Sequence, residues 1–341
     1  MEGEPESRIP RPGGNRGERS GGVGKRALAI GSGALALLLG LTLAAACGSP
    51  GGGAHEGRDQ PSARPSDAQS HSSPGPHSPS AAHSPSSTTG SRDRSGWDTS
   101  PDSLAAVGDS ITRGFDACSL LSDCTAASWA TGSDDGVRSL AGRLLDDPAA
   151  QSWNYAVSGS TMAGLASQMK RAAARDPDLV TVMTGANDAC RPDVEGMTSV
   201  PEFREGFRRA LRTLWDERPD AQVYVASVPD LKRLWSVGRD SQEAQRAWKF
   251  GICRSMLDAP RSVSAAATER RDRVRERVIA YNGVLREECA EHTRCRYDNG
   301  AVFSYRFTER ELSPWDWFHP GRAGQRELAA LAHREIVSPR P

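Results

Sequence analysis

The sequence contains few histidines and lacks several motifs that would settle the class of the protein directly. Seven histidines occur in 341 residues, and four of them, His55, His71, His77 and His83, lie in a stretch rich in serine and proline. No His-Glu-x-x-His motif of a zinc protease is present. No Gly-x-Ser-x-Gly occurs in the region expected to fold, which argues against the α/β-hydrolase fold. The formal net charge is zero without a basic stripe, which argues against a nucleic-acid partner.

The N-terminal region has the pattern of an export signal. A polar leader ending in Lys25-Arg26 precedes an apolar run from residue 27 to 46, which ends in Leu43-Ala44-Ala45-Ala46-Cys47. Positive residues, an apolar core and small residues are typical of a signal peptide. The Ala-Ala-Ala-Cys ending resembles a bacterial lipoprotein signal, so we interpret residues 1–47 as a signal peptide with Cys47 as its lipidation site. Secretion without lipid, an uncleaved membrane anchor and a true start nearer Val23 are the alternatives.

The following segment, residues 48–97, is predicted to be a disordered linker. It consists of Ser, Pro, Gly, His, Asp and Arg with almost no large apolar side chain. Such a composition cannot bury enough surface to offset the entropy of ordering the chain. We favour a solvated linker over metal binding by its histidines, and we place one folded domain at residues 98–341.

The cysteines of the folded region favour disulfide bonds. After Cys47 there are six, at positions 118, 124, 190, 253, 289 and 295. An even number in an exported domain is typical of a disulfide framework. Two pairs share the same short spacing, which leaves one long pair, so we predict Cys118–Cys124, Cys190–Cys253 and Cys289–Cys295. A zinc site is the alternative, but no Cys-x-x-Cys or clustered histidine accompanies these cysteines.

Apolar runs and amphipathic patterns alternate along the domain. The sequence predicts strands at 104–107, 153–157, 179–183, 222–227 and, more weakly, 295–297. It predicts helices at 137–145, 162–174, 203–217, 265–292 and 320–336, with 232–262 irregular. Alternating strands and helices are typical of a parallel sheet with helices on both faces.

Three polar motifs follow predicted strands, where a parallel sheet gathers its reactive groups. Ser110, Gly159 and Asn187 each come within two to four residues of a strand end. In such sheets, sites form outside the carboxyl ends of the strands. Near the end of the domain, Asp316 precedes His319 by three residues. Nucleophilic catalysis by serine requires a serine, a histidine that acts as its base and a carboxylate that orients the histidine.

These motifs, taken in order, resemble the four blocks of the SGNH (GDSL) hydrolase superfamily. The blocks are Gly108-Asp109-Ser110, Gly159, Gly185-x-Asn187-Asp188 and Asp316-x-x-His319, and the resemblance spans about residues 103–335. Details of the sequence are closest to the phospholipase-B-like and secreted actinobacterial lipase branches. The resemblance implies an α/β protein, a three-layer α/β/α sandwich with a five-stranded parallel sheet of flavodoxin-like type.

The resemblance also implies a role for each block. Ser110 is expected to be the nucleophile, His319 its general base, and Asp316 the group that orients the imidazole. The oxyanion hole is expected to comprise the N–H of Ser110, the N–H of Gly159 and the side-chain amide of Asn187. No cofactor or metal is expected.

Asp109 and Asp188 stand beside functional positions, and we expect both to brace loops without touching the reacting atoms. His292 and His333 fall in predicted helices and are expected to be surface or packing residues.

The sequence therefore predicts an exported, lipid-anchored, monomeric serine esterase or lipase whose substrate is a small-molecule or lipid ester, with an acyl lipid preferred. A polysaccharide O-acetyl esterase is the enzymatic alternative. A catalytically inactive surface-binding lipoprotein is the alternative from another class, and acyl transfer to an alcohol other than water would use the same residues.

Overall fold

The computed structural model describes residues 96–339. The predicted signal peptide, the lipidation site Cys47 and nearly all of the predicted linker lie outside these residues. None of the described helices combines the length and the apolar character that crossing a membrane requires.

The described domain is built on a five-stranded parallel sheet. Its strands are β1 (Leu104–Gly108), β2 (Ser152–Asn154), β3 (Leu179–Met183), β4 (Gln222–Val225) and β5 (Cys295–Tyr297). Their spatial order is β2-β1-β3-β4-β5, and every neighbouring pair is parallel. β1 and β3 are buried along their whole length, as continuous apolar strands covered on both faces require.

Helices connect and flank the strands. They are α1 (Ser110–Arg113), α2 (Leu140–Leu144), α3 (Pro148–Gln151), α4 (Leu165–Ala173), α5 (Ala186–Ala189), α6 (Val200–Glu217), α7 (Leu231–Gly238), α8 (Gln242–Trp248), α9 (Arg254–Leu257), α10 (Ala265–Ala290), α11 (Ala301–Ser304) and α12 (Arg322–Val337). Helix α6 packs against both α4 and α10, while α12 packs against α2. The predicted α/β fold with a five-stranded parallel sheet is confirmed.

Helix α6 illustrates why these segments fold as they do. Ser199 caps its N-terminus in a capping box with Glu202, so that two N–H groups without helical partners are satisfied. Apolar side chains then recur at helical spacing, and Phe203, Phe207 and Leu214 are all buried. The capped end and the apolar face together fix the helix against α4 and α10.

Several sequence-based assignments differ from the structure, and two of them concern segments near the predicted site. The segment 232–262, predicted to be irregular, contains α7, α8 and α9. Asp230 caps α7 with its carboxylate, and the buried residues Leu231, Leu234 and Trp235 have the spacing of a helical face. The last helix begins at Arg322 and not at Pro320, because Pro320 lies in an antiparallel bridge with Leu312.

All three predicted disulfides are present. Cys118–Cys124 and Cys289–Cys295 each close a short loop, and Cys190–Cys253 joins the end of α5 to the start of α9. The long-range disulfide therefore ties the helical segment after β4 to the turn that follows β3.

Candidate active site

Ser110 is presented by a tight turn between β1 and α1. Gly108 ends the strand at φ +146°, and a Cβ there would lie 2.1 Å from the backbone oxygen of Met183. Only glycine allows the two strand ends to approach so closely. Asp109 then caps α1 by accepting a hydrogen bond from the N–H of Ile111 (3.0 Å). Ser110 is thus the first helical residue, and Asp109, not Ser110, is the cap.

His319 reaches Ser110 from the other end of the domain. The Oγ of Ser110 lies 2.8 Å from Nε2 of His319, across a separation of 209 residues. On the far side of the ring, Nδ1 lies 2.5 Å from Oδ2 of Asp316. The structure thus brings together all three residues of the predicted triad in the order serine, imidazole, carboxylate. This order allows the ring to accept a proton from the serine hydroxyl while the carboxylate holds the opposite N–H.

The Asp316 carboxylate also shapes the turn that carries the histidine. Its Oδ1 accepts hydrogen bonds from the N–H groups of Phe318 (2.9 Å) and His319 (3.0 Å). Trp317, between them, has a left-handed φ of +54°, which is uncommon for a residue with a large side chain. One carboxylate therefore fixes both the backbone of the turn and the orientation of the imidazole.

Burial and pairing set the charge of this pair of residues. Burial alone would lower the pKa of His319, but the hydrogen bond and charge of Asp316 outweigh it and raise that pKa above its ordinary value. Burial alone would raise the pKa of Asp316, yet the hydrogen bond and charge of His319 lower it. Asp316 is therefore held as a carboxylate, which favours the imidazolium that forms when His319 accepts a proton.

The loops that carry Gly159 and Asn187 are fastened to each other. Gly159 has φ +79°, and a Cβ at that position would meet open space. The side-chain amide of Asn187 donates to the carbonyl of Ser160 (3.0 Å). An amide has two hydrogens, so this bond leaves one for a ligand. A carboxylate oxygen of Asp188 accepts from the N–H of Met162 (2.9 Å), which is the bracing role expected of Asp188.

Two further carboxyl groups near the site are buried. Burial raises the pKa of Asp109 to about 7, and its Oδ2 has no hydrogen-bond partner among the described residues. Asp116 is fully buried and lies beside Asp316 and His319. The sequence-based reasoning missed Asp116, because no pattern in the chain links it to the histidine segment.

A small apolar cavity adjoins the triad. Its volume is about 10 Å³, and its lining includes Ile111, Ala186, Leu231, Leu234, Phe318 and Pro320. Ile111 follows the serine, Ala186 precedes Asn187, and Phe318 and Pro320 flank the histidine. Part of the cavity wall is therefore formed by residues that are next to Ser110, Asn187 and His319 in the chain. Leu231 and Leu234 come from α7.

The other two histidines of the domain lie apart from this site. His292 follows the C-terminal end of α10, where its ring packs on Trp215 at 4.3 Å between centroids. His333 lies within α12. Both are surface or packing residues, as expected.

Comparison with known proteins defines the class. A GDSL-like lipase/acylhydrolase family model matches residues 106–327, well over half of the chain. The chain therefore belongs to the GDSL-like lipase/acylhydrolase family, and it is a carboxylic ester hydrolase. This confirms the resemblance to SGNH (GDSL) hydrolases.

Solved structures similar to this chain include lipases and esterases. An extracellular lipase from Streptomyces rimosus is 17% identical, covering 67% of this chain and 99% of its own, with a TM-score of 0.39. A family two carbohydrate esterase from Cellvibrio japonicus is 14% identical, covering 70% and 60%, with a TM-score of 0.39. A family two carbohydrate esterase from Clostridium thermocellum is 16% identical, covering 70% and 64%, with a TM-score of 0.38. Among curated proteins, none matches the chain.

Asp316→Asn tests the link between the carboxylate and the histidine. We expect kcat/KM for a p-nitrophenyl ester to fall by about 10³-fold or more, because the amide no longer selects the useful tautomer. We also expect the acid limb of the pH–rate profile to move to lower pH, because removing the carboxylate lowers the pKa of His319. Asp123→Asn, which changes a nearby carboxylate bonded to Arg113 and Ser158, is the control. An acid limb that stays in place in Asp316→Asn contradicts the assignment.

Proposed function

We propose that the protein hydrolyses carboxylic esters through an acyl-enzyme on Ser110, with His319 as general base and Asp316 as its orienting carboxylate. The observation that carries the proposal is the 2.8 Å contact between Ser110 Oγ and His319 Nε2. A serine hydroxyl is a weak nucleophile unless a base takes its proton as it attacks. A buried imidazole backed by a carboxylate is suited to that task.

The reaction follows from this geometry. Nε2 of His319 accepts the hydroxyl proton while Oγ of Ser110 bonds to the ester carbonyl carbon. The tetrahedral intermediate collapses as the bond to the alcohol oxygen breaks, and His319 returns the proton to that oxygen. A water molecule then attacks the acyl-enzyme with the same base, which releases the acid and restores the serine hydroxyl.

The charge that develops on the carbonyl oxygen requires hydrogen-bond donors. We assign this role to the N–H of Ser110, the N–H of Gly159 and the side-chain amide of Asn187. The open space at Gly159 and the second amide hydrogen of Asn187 support the assignment. Loss of one such donor typically raises the barrier by about 3–4 kcal/mol.

The cavity beside Ser110 supports a short, apolar acyl group as the part of the substrate that enters it. A cavity of about 10 Å³ is just large enough for a group the size of one water molecule, which needs about 10–15 Å³. A long acyl chain would require α7 to move. Among acyl groups, the acetyl group, including the O-acetyl group of a polysaccharide, is the one whose size is nearest to this space.

A lipid ester is the second candidate, and an exposed apolar rim favours it. Leu121 (74% exposed) donates its N–H to Asp116, Val157 (44%) stands two residues before Gly159, and Trp315 (46%) precedes Asp316. Large exposed apolar side chains around a site are suited to an amphiphilic substrate.

We further propose that the protein is exported and attached to the membrane through lipidated Cys47. The signal-like leader and the three disulfides support export, because disulfides form and persist in oxidising compartments.

Ser110→Ala tests the nucleophile. We expect it to abolish turnover of p-nitrophenyl acetate and labelling by a fluorophosphonate probe, while the melting temperature stays close to that of the parent. Ser128→Ala is the control that removes another buried hydroxyl from the same part of the domain; it should retain labelling, although it loses a hydrogen bond to Thr112. Labelling of folded Ser110→Ala contradicts the assignment. A parent protein that is folded but unlabelled supports an inactive binding protein instead.

A series of p-nitrophenyl esters from acetate to palmitate tests the acyl group. We expect kcat/KM to be highest for acetate in the parent, because the cavity has room for only a very small group. Leu234→Ala enlarges the cavity, so the preference should move toward longer chains. Leu214→Ala, a buried leucine of α6 that is not part of the cavity lining, is the matched control; both substitutions are expected to cost about 2–5 kcal/mol of stability.

A preference for palmitate in the parent, with loss of that preference on exchanging Leu121 and Trp315 for serine, would favour the lipid candidate. An unchanged chain-length profile in Leu234→Ala would show that the cavity does not receive the acyl group.

A further inference from the structure

We propose that Asp116 is a positioning residue that carries a proton and donates it to Asp316, so that the triad carboxylate is held between the imidazole of His319 and a neutral carboxylic acid. The inference rests on the proposed function of this site, which it extends by one residue. Asp116 touches neither the substrate nor the reacting atoms.

The backbone of Asp116 is held in an unusual conformation. Its φ is +56°, in the left-handed region that is uncommon for residues other than glycine. Its N–H donates to the carbonyl of Ser122 (3.0 Å), and its own carbonyl accepts from Oγ of Ser313 (2.7 Å). Such a conformation persists when surrounding contacts determine it, and it is often found at functional sites. The contact with Ser313 ties the Asp116 loop to the segment that carries Asp316 and His319.

The side chain of Asp116 is aimed at the triad. The residue is fully buried, and one of its carboxylate oxygens accepts a hydrogen bond from the N–H of Leu121. The other oxygen, Oδ2, is buried and receives no hydrogen bond within residues 96–339. Potential ligand atoms of Asp116, Asp316 and His319 all lie within 4.8 Å of one another. An unpartnered buried carboxylate oxygen in this position is costly unless it carries a proton.

The proton belongs on Asp116 and not on Asp316. When two carboxyl groups share a site, the charge of one raises the pKa of the other. Asp316 already accepts from the N–H groups of Phe318 and His319 and from the imidazole, all of which favour its charged form. In agreement, burial and then the charge of Asp316 raise the pKa of Asp116, whereas the contacts of Asp316 lower its pKa despite burial.

A shared proton fits the three groups better than a metal ion. His319 Nδ1 and Asp316 Oδ2 are only 2.5 Å apart. Two ligand atoms on one tetrahedral zinc ion, each about 2.0–2.2 Å from it, would be farther apart, at roughly 3.3 Å. The pair therefore holds a hydrogen bond, and Asp116 adds a second one to the same carboxylate.

The arrangement has a defined effect on the triad. A neutral acid that donates to Asp316 keeps this carboxylate ionised and fixed in orientation. When Asp116 loses its proton at higher pH, Asp316 loses a donor and gains a repelling charge. Among charged groups, Asp316 raises the pKa of Asp116 most strongly, and His319 lowers it. The charge of Asp109 raises the pKa of the same histidine.

Two substitutions of Asp116 test whether Asp316 needs a hydrogen-bond donor at this position or a negative charge. Asp116→Asn keeps an oxygen for the N–H of Leu121 and offers an N–H to Asp316 at every pH, and asparagine tolerates a left-handed φ. Asp116→Gly also accepts this φ but has no side chain that could donate a hydrogen bond.

We expect Asp116→Gly to lower kcat for p-nitrophenyl acetate by about 10- to 100-fold with little change in KM, as the loss of a hydrogen bond to a charged group implies. Asp116→Asn should retain kcat within about threefold, since it preserves that hydrogen bond. Asp123→Asn on the same loop is the control.

Stability gives a second readout that does not depend on catalysis. The pKa of Asp116 is higher in the folded protein than in the unfolded chain. The folded parent therefore loses stability as the pH rises from the pKa of Asp116 in the unfolded chain to its pKa in the folded protein. Asn has no such transition. The melting temperature of Asp116→Asn relative to the parent should therefore increase as the pH is raised from 4 to 8.

Three results would overturn the proposal. The first is a loss of kcat in Asp116→Asn as large as that in Asp116→Gly, which would mean that an ionised carboxylate is required. The second is a difference in melting temperature that does not change with pH. The third is inactivation by EDTA that a divalent cation reverses. An absence of fluorophosphonate labelling in the parent would instead refute the proposed function, while the melting comparison would still report on the proton of Asp116.

Discussion

The hydrogen bond between Ser110 and His319 is the contact on which the rest of the site depends. It joins residues 209 positions apart at 2.8 Å, and neither residue could be reactive in this way alone. β1 delivers the serine to the carboxyl edge of the sheet, as parallel α/β folds do. The histidine arrives from the segment before α12, where its carbonyl accepts from the N–H of Ser313 (2.8 Å) and Pro320 bridges to Leu312. The sheet and the segment before the last helix thus meet at this single contact.

The site places several ionisable groups in a region from which water is largely excluded. Burial opposes every charge there, so each charge persists only where hydrogen bonds or an opposite charge compensate for it. Asp316 is compensated by His319 and two N–H groups and stays ionised. Asp109, with fewer such contacts, has its pKa raised to about 7. Differences in hydrogen bonding therefore separate carboxyl groups of the same chemical type into charged and neutral ones, which is a common route to acid–base function.

The sequence was sufficient for the sheet, the disulfides and the proximity of Ser110, His319 and Asp316, because each of these leaves a local signal. Strands such as Leu179–Met183 are almost entirely apolar, and Ser110 and Asn187 come two and four residues after strand ends. Helix α7 was missed because its short apolar face lies between turns and charged residues. Asp116 could not be found, since its role depends on a left-handed backbone and on contact with the Asp316 segment some 200 residues away, as the 197-residue separation between Asp116 and Ser313 illustrates. The cavity likewise combines side chains from five separate segments.

The most direct test of the central claim is to trap the covalent intermediate. The protein would be mixed rapidly with p-nitrophenyl acetate, quenched in acid, digested and analysed by peptide mass spectrometry. Our account predicts one acetyl group on the peptide that carries Ser110, formed together with the first equivalent of nitrophenol and absent from His319→Ala. Release of nitrophenol with the acetyl group on another residue, or with Ser110 never modified, would contradict it.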